Sequence, residues 1–175
     1  SEMPYNADGS ITYESVIKRY NTDLVNNMGN LVKRTLDMQK KYFDKVVKAP
    51  AAPEALDDEL KAACVKAYEG MTANMDGFRI ADAIECVFEM FNRANKYIDE
   101  TAPWVLAKDE ALKDRLSTVL YNLCEGLRIS AVLLAPFMPE TAENILKQIN
   151  CDVNTYESIE TFGGYVSGTQ VGTAT

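Results

Sequence analysis

Residues 110–134 read EALKDRLSTVLYNLCEGLRISAVLL. Apolar residues recur there at Leu112, Leu116, Val119, Leu120, Leu123, Leu127 and Leu134, the three- and four-residue steps of a helix. The apolar face is broad rather than a narrow stripe, so such a helix has to be covered over most of its circumference. A central helix over 110–134 predicts a bundle, and the rest of the chain must supply the helices that wrap it.

On the C-terminal side, APFMPET (135–141) interrupts the pattern with Pro136 and Pro139. PETAENILKQI then reads as a short helix with Pro139 in its first turn, where its missing N–H does no harm. From Cys151 the composition changes, and TFGGYVSGTQVGTAT (161–175) is rich in Gly and Thr with no helical period; it reads as an extended or loose tail. On the N-terminal side, Ile80, Ile84, Val87, Phe88, Phe91 and Ile98 mark a helix over 78–99. It stops before TAPW because Pro103 disfavours a helical residue ahead of it. NMDGF (74–78) is a turn, a helix precedes it over 54–73, and KAPAAPEALDDE (48–59) breaks the chain with Pro50 and Pro53. A long first helix spans 12–46, with Tyr13, Ile17, Tyr20, Leu24, Met28, Leu31, Met38 and Tyr42 on one stripe and Ser10 or Thr12 as cap. Gly29 interrupts it at a cost of about 1 kcal/mol relative to alanine, either to admit a neighbouring helix or to no effect. No strand alternation is visible through residue 150, and the connections are short. The fold class is all-α: an antiparallel bundle of about five helices over residues 1–150, with an irregular C-terminal tail over 151–175.

The chain has 175 residues, which suits one domain with a substantial core. No apolar run approaches the roughly 20 residues needed to span a membrane, and the N-terminus lacks the regions of a signal peptide, so a cytoplasmic protein is expected. There is no histidine, and the four cysteines (Cys64, Cys86, Cys124, Cys151) show no CxxC spacing. This excludes His-based triads and argues against a zinc site; buried, reduced thiols are the simpler reading. GxGxxG and GxxxxGK[ST] are also absent. The net charge of −8 is unevenly spread: Ile11–Lys48 carries eight basic residues against four acidic, a local +4, which leaves −12 for the remainder. Local potential rather than net charge decides where a phosphate backbone can settle, although a solvated helix face carries the same signature.

On the first helix Asn27, Asn30, Arg34 and Asp37 follow in steps of three, four and three and share one side. Asn30 and Arg34 project away from the buried stripe. An amide and a planar donor fork one turn apart can read the edges of unstacked bases. The single tryptophan, Trp104, sits in NRANKYIDETAPWVLAK (92–108) directly after Pro103. There it is either a core plug that fixes the turn or a platform on which a base stacks.

NKYIDETAPWVLAK closely resembles a segment of the anticodon-binding domain of methionyl-tRNA synthetases. YNTDLVNNMGNLVKRT (20–35) resembles that family's first bundle helix, APFMPETAENI the end of its fourth, and YESIETFGGYVSGTQV the segment returning toward the catalytic core. The likeness runs in order over nearly all of residues 5–172. It implies a bundle that binds the anticodon stem-loop of the tRNA for methionine. It also implies that Asn30 and Arg34 contact the anticodon, that Trp104 stacks on its first base, and that Pro103 shapes the turn, with Asp99 and Asn95 as weaker candidates. The family's HIGH-like and KMSKS-like motifs are not in this sequence. The expectation is therefore a piece that binds without catalysing, its partners being tRNA and the catalytic domain of a parent methionine-tRNA ligase, with no membrane partner. No cofactor is expected in this piece; ATP, and zinc if present, belong to the missing catalytic part. Two rivals stand beside this reading: the anticodon-binding domain of an isoleucyl, valyl or leucyl enzyme, and a helical protein-interaction module.

Overall fold

The computed structural model describes residues 13–76 and 79–172. The expected caps Ser10 and Thr12, the turn residues Gly77 and Phe78, and the last three residues lie outside them, as do the side chains of Tyr13 and Ile17. Six helices follow in order: α1 Tyr13–Phe43, α2 Ala55–Asp76, α3 Ile80–Thr101, the short α4 Pro103–Leu106, α5 Lys113–Leu134 and α6 Pro139–Gln148. Single 3-10 turns occupy Glu110–Leu112 and Glu157–Ile159. The helix expected over 12–46 ends at Phe43 because Asp44 and Lys45 turn to positive φ, 51° and 70°. α4 is absent from the sequence reading, whose period cannot register a single turn.

α5 is the centre of the bundle, with every residue from Arg115 to Leu134 buried. α2 and α3 pack closely where Gly70 meets Cys86: a Cβ on Gly70 would collide with the Cys86 side chain, its Cβ lying only 3.1 Å away. Gly29, by contrast, has nothing within 4 Å of a built Cβ and so admits no helix. Tyr20 meets Phe88 at a ring-centroid distance of 5.8 Å, and Arg34 reaches Asn95 and Asp99. Contacts that advance together along both helices make α1 and α3 parallel, as two antiparallel connections through α2 require.

Because α5 has no solvent-facing side, its polar residues must find partners in the elements around it. At its N-terminal end Arg115 forks onto Asp57 of α2 (Nη1–Oδ2 2.8 Å, Nη2–Oδ1 2.9 Å). Tyr97 of α3 donates to the same carboxylate at 2.6 Å, and Asn122 donates to the Tyr97 hydroxyl at 3.2 Å. Burial pushes the Asp57 carboxyl up, but the hydrogen bonds from Arg115, Tyr97 and the Glu54 backbone outweigh it and hold the group below the usual carboxylate range. Thr118 accepts from the backbone N–H groups of Ala51 and Ala52 at 2.9 and 2.8 Å, which ties down the α1–α2 link.

At its C-terminal half, Glu125 and Arg128 form an ion pair at 2.7 Å with both side chains at 0% exposure. The Glu125 carboxylate also accepts the backbone N–H groups of Gly163, Gly164 and Tyr165 at 2.6–2.9 Å. Arg128 donates to Val153 O, Ser158 Oγ and Ser158 O. This pair corrects the expectation of a loose tail. Residues 151–172 are packed on the bundle, with Ile159, Tyr165 and Val171 buried. Val47 N–H donates to Thr169 O, Gly168 N–H to Val47 O and Val171 N–H to Lys45 O, at 2.7–2.9 Å. Gly163 is needed for its φ of 114°. Gly164 is needed for space: a Cβ there would lie 2.7 Å from Cζ of Arg128.

Arg128→Ala leaves the Glu125 carboxylate buried without its cation and is expected to cost about 3–5 kcal/mol. Urea denaturation measures the loss, and limited proteolysis should cut first within 151–172. For Asp57 the sign follows from its depressed folded value. The stability it contributes is present above the unfolded value of about 3.9 and is lost as pH falls through the folded value. Melting temperature should therefore fall more steeply from pH 5 to pH 2 in the wild type than in Asp57→Asn, which starts lower.

Candidate nucleic-acid interface

The parallel pairing of α1 and α3 brings three of the candidates together. Arg34 Nη1 donates to Asn95 Oδ1 at 3.3 Å and Nη2 to Asp99 Oδ1 at 2.9 Å. Asn95 is itself aimed, because its Nδ2 donates to the Phe91 carbonyl one turn earlier at 3.2 Å. The arginine side chain is 29% exposed and the aspartate 67%, so the fork lies at the surface, held from α3 through both Nη atoms and still partly open to solvent. Asn95 and Asp99 thus face Arg34 as its orienting partners, a relation that spacing within one helix cannot reveal. Asp37, on the same stripe as Arg34, instead takes Lys33 at 2.9 Å. Asn30 is exposed one turn before Arg34, and Asn27 is half-buried.

Trp104 belongs to the same end of the molecule. α3 closes at Thr101, and Ala102 takes a left-handed conformation (φ 46°, ψ 65°) that caps α3 and at once opens α4. The Ala102 N–H bonds Ile98 O at 2.9 Å. A non-glycine residue in this region carries on the order of 1–2 kcal/mol of strain. Here the following proline already disfavours the right-handed helical alternative. Pro103 is buried at the first position of α4, and Trp104 follows with 44% of its surface exposed. The indole makes no hydrogen bond to a described residue. Trp104 lies five positions beyond Asp99, so their Cα atoms are at most roughly 18 Å apart. The ring is neither a full plug nor a free surface group: it is seated on a proline-fixed turn with part of its surface open. Sequence reading missed Ala102, whose only signal is that it precedes a proline.

Other chemistry is sparse. Burial pushes the thiols of Cys64 and Cys124 up to about 12, with neighbouring Glu125 adding to both, so these are inert core groups. Among the described residues no three His, Cys, Asp or Glu side chains cluster as a metal site. No described helix is long and apolar enough to cross a membrane.

A family model described as the anticodon-binding domain of tRNA ligase matches residues 57–164, a span that includes Trp104, Asn95 and Asp99 but not Asn30 or Arg34. The chain is 47% identical over 97% of its length to the methionine–tRNA ligase of Clostridium tetani, of which it covers 26%. It is 42% identical over 93% of its length to that of Bacillus subtilis, of which it covers 25%. The chain therefore spans about a quarter of the length of these curated relatives. Among solved structures, the apo form of Mycobacterium tuberculosis methionyl-tRNA synthetase superposes with a TM-score of 0.80 at 34% identity, over 93% of this chain and 33% of that one.

Replacing a fully buried tryptophan by alanine costs about 3–5 kcal/mol. For the half-exposed Trp104, Trp104→Ala is expected to cost about 1–2 kcal/mol by chemical denaturation. As the only tryptophan, it should also be quenched by acrylamide in the folded protein far more readily than a core indole.

Proposed function

The chain belongs to the anticodon-binding domains of tRNA ligases, and from that premise we propose that it recognises the anticodon stem-loop of the tRNA for methionine. The observation that carries the proposal is the seating of Trp104, half-open on the Pro103 turn at the end of α3. The same end of α3 holds the fork of Arg34 through Asn95 and Asp99. In the proposed complex the indole stacks on the first anticodon base, a contact worth about 1–3 kcal/mol. Asn30 and the solvent-open part of Arg34 hydrogen-bond the edges of splayed bases. Asn95 and Asp99 hold the guanidinium in place beforehand, so less of its rotamer freedom, about 2 kcal/mol in a free side chain, is left to lose on binding. Pro103 and Ala102 set the angle of the platform.

The relatives reported above are methionine–tRNA ligases, and their extra length supports reading this chain as one module of such an enzyme. In that reading the module binds and the catalytic domain, with its ATP and any zinc, attaches methionine; the setting is the cytoplasm. The partners are the tRNA and the enzyme's own catalytic domain. The module by itself catalyses nothing.

The test is a titration monitored by Trp104 fluorescence. A stem-loop with the anticodon CAU should quench the emission and bind, whereas the same stem-loop with GAU, an isoleucine anticodon, should bind at least tenfold more weakly. Equal affinities would exclude methionine specificity, and an isoleucine preference would favour the rival synthetase class. Arg34→Ala should weaken CAU binding while shifting stability by less than about 1 kcal/mol, the ceiling for an exposed ion pair.

A further inference from the structure

We propose that Lys41 is the phosphate contact of this interface, holding the backbone of the anticodon loop beside the base stacked on Trp104. The inference rests on the function proposed above and adds a residue to it. The stripe Asn27, Asn30, Arg34, Asp37 continues by one further step of four to Lys41. At 3.6 residues per turn, Lys41 lies about 20° from the direction of Arg34 and about 10 Å further along the axis. Because α1 and α3 run parallel, that advance leads toward the end of α3 from which Trp104 projects. Arg34 meets Asn95 and Asp99, and Trp104 lies five residues beyond Asp99 as Lys41 lies seven beyond Arg34.

Charge separates Lys41 from the neighbouring cations Arg34, on the stripe, and Lys33, beside it. Lys33 is engaged by Asp37 and Arg34 by Asp99, so each brings its own anion to the surface and neither offers a net positive charge to a phosphate. Lys41 is exposed and pairs with no carboxylate among the described residues; its ammonium lies 5.7 Å from the neighbouring Tyr42 ring. A polyanion approaching a protein of net charge −8 needs such an uncompensated cation at the point of contact. An ammonium is suited to this, as a point charge with three rotatable donors and no demand for planar geometry. Lys40 is the internal control. It carries the same charge and is likewise exposed, but it points about 120° away from Arg34.

The experiment compares four proteins, wild type, Lys41→Gln, Lys40→Gln and Trp104→Ala, each titrated from 50 to 300 mM KCl against a dye-labelled CAU stem-loop followed by fluorescence anisotropy, a signal that does not depend on Trp104. Each phosphate neutralised in a single-stranded segment contributes about 0.7 to the slope of log K against log salt. The expected result is a slope lowered by about 0.7 in Lys41→Gln and unchanged in Lys40→Gln. Trp104→Ala should lose affinity at every salt concentration with the wild-type slope retained. A wild-type slope in Lys41→Gln overturns the assignment while leaving the anticodon reading intact. Equal losses in Lys40→Gln and Lys41→Gln also overturn it, because the effect would then belong to the general field. Failure of the wild type to bind any stem-loop would instead remove the functional reading itself.

Discussion

Glu125 and Arg128 sit at 0% exposure in the middle of the central helix, and the arrangement of the chain around α5 follows from that burial. Removing two such ions from water costs several kcal/mol each, and their attraction offsets this only when the remaining lone pairs and protons are also satisfied. α5 cannot satisfy them alone. The carboxylate takes three backbone N–H groups from Gly163, Gly164 and Tyr165, and the guanidinium takes oxygens from Val153 and Ser158. A segment with too few apolar residues to form a helix of its own is thereby fixed along the bundle. Arg115 and Thr118 do the same at the other end, requiring Asp57 of α2 and the link before it. A helix buried from Arg115 to Leu134, with polar residues on several faces, thus dictates where its neighbours lie. Hydrophobic packing alone tolerates many arrangements; these partners admit few.

That rigid frame gives an exposed site its definition. The residues of the candidate interface contribute little to stability: the Arg34–Asp99 pair lies at the surface, its aspartate exposed and its arginine partly so, and surface pairs are worth about 0–1 kcal/mol. Their geometry comes from below them. Tyr97 is locked to Asp57 and Asn122 on the inward face of α3, while Asn95 and Asp99 flank it on the outward face. The turn at Ala102 begins where α3 is pinned, and Pro103, itself buried, passes that fixed position on to Trp104. Strain at Ala102 is tolerable because the residues on both sides are held.

How much of this was legible in the sequence depended on whether the signal was periodic. The centrality of 110–134, the helices around it and the outward side of Asn30 and Arg34 all follow from steps of three and four. The break at Pro103 was legible for the same reason, as an interruption of a period. The seating of residues 151–172 was not, because it rests on Glu125 and Arg128, which within the pattern of α5 are merely two polar letters. The pair Gly163–Gly164 was the available clue: adjacent glycines beside a tyrosine mark a place where backbone must come close to something, though not to what. The clamp on Arg34 escaped in the same way. Asn95 and Asp99 were identified beside Trp104, but only the parallel pairing of α1 with α3, some 60 residues away in sequence, turns them toward the guanidinium.

The clamp also decides what kind of contact Arg34 is fitted to make. A guanidinium bonded to an exposed carboxylate presents little net charge, so a phosphate gains no more from it than it loses to Asp99. A base edge is different, since it is neutral and patterned and gains from N–H groups held in a fixed plane without being repelled by the nearby anion. Pairing Arg34 with Asp99 therefore moves the residue from affinity toward selectivity. On the proposed reading, the face divides its tasks accordingly: planar, pre-oriented groups at Asn30 and Arg34 address the bases, Trp104 offers a surface that any base can use, and uncompensated positive charge has to lie elsewhere on α1. The net charge of −8 sharpens the division. Long-range attraction for a polyanion is weak over most of the molecule, so the proposed reading confines binding to the one edge where these functions coincide.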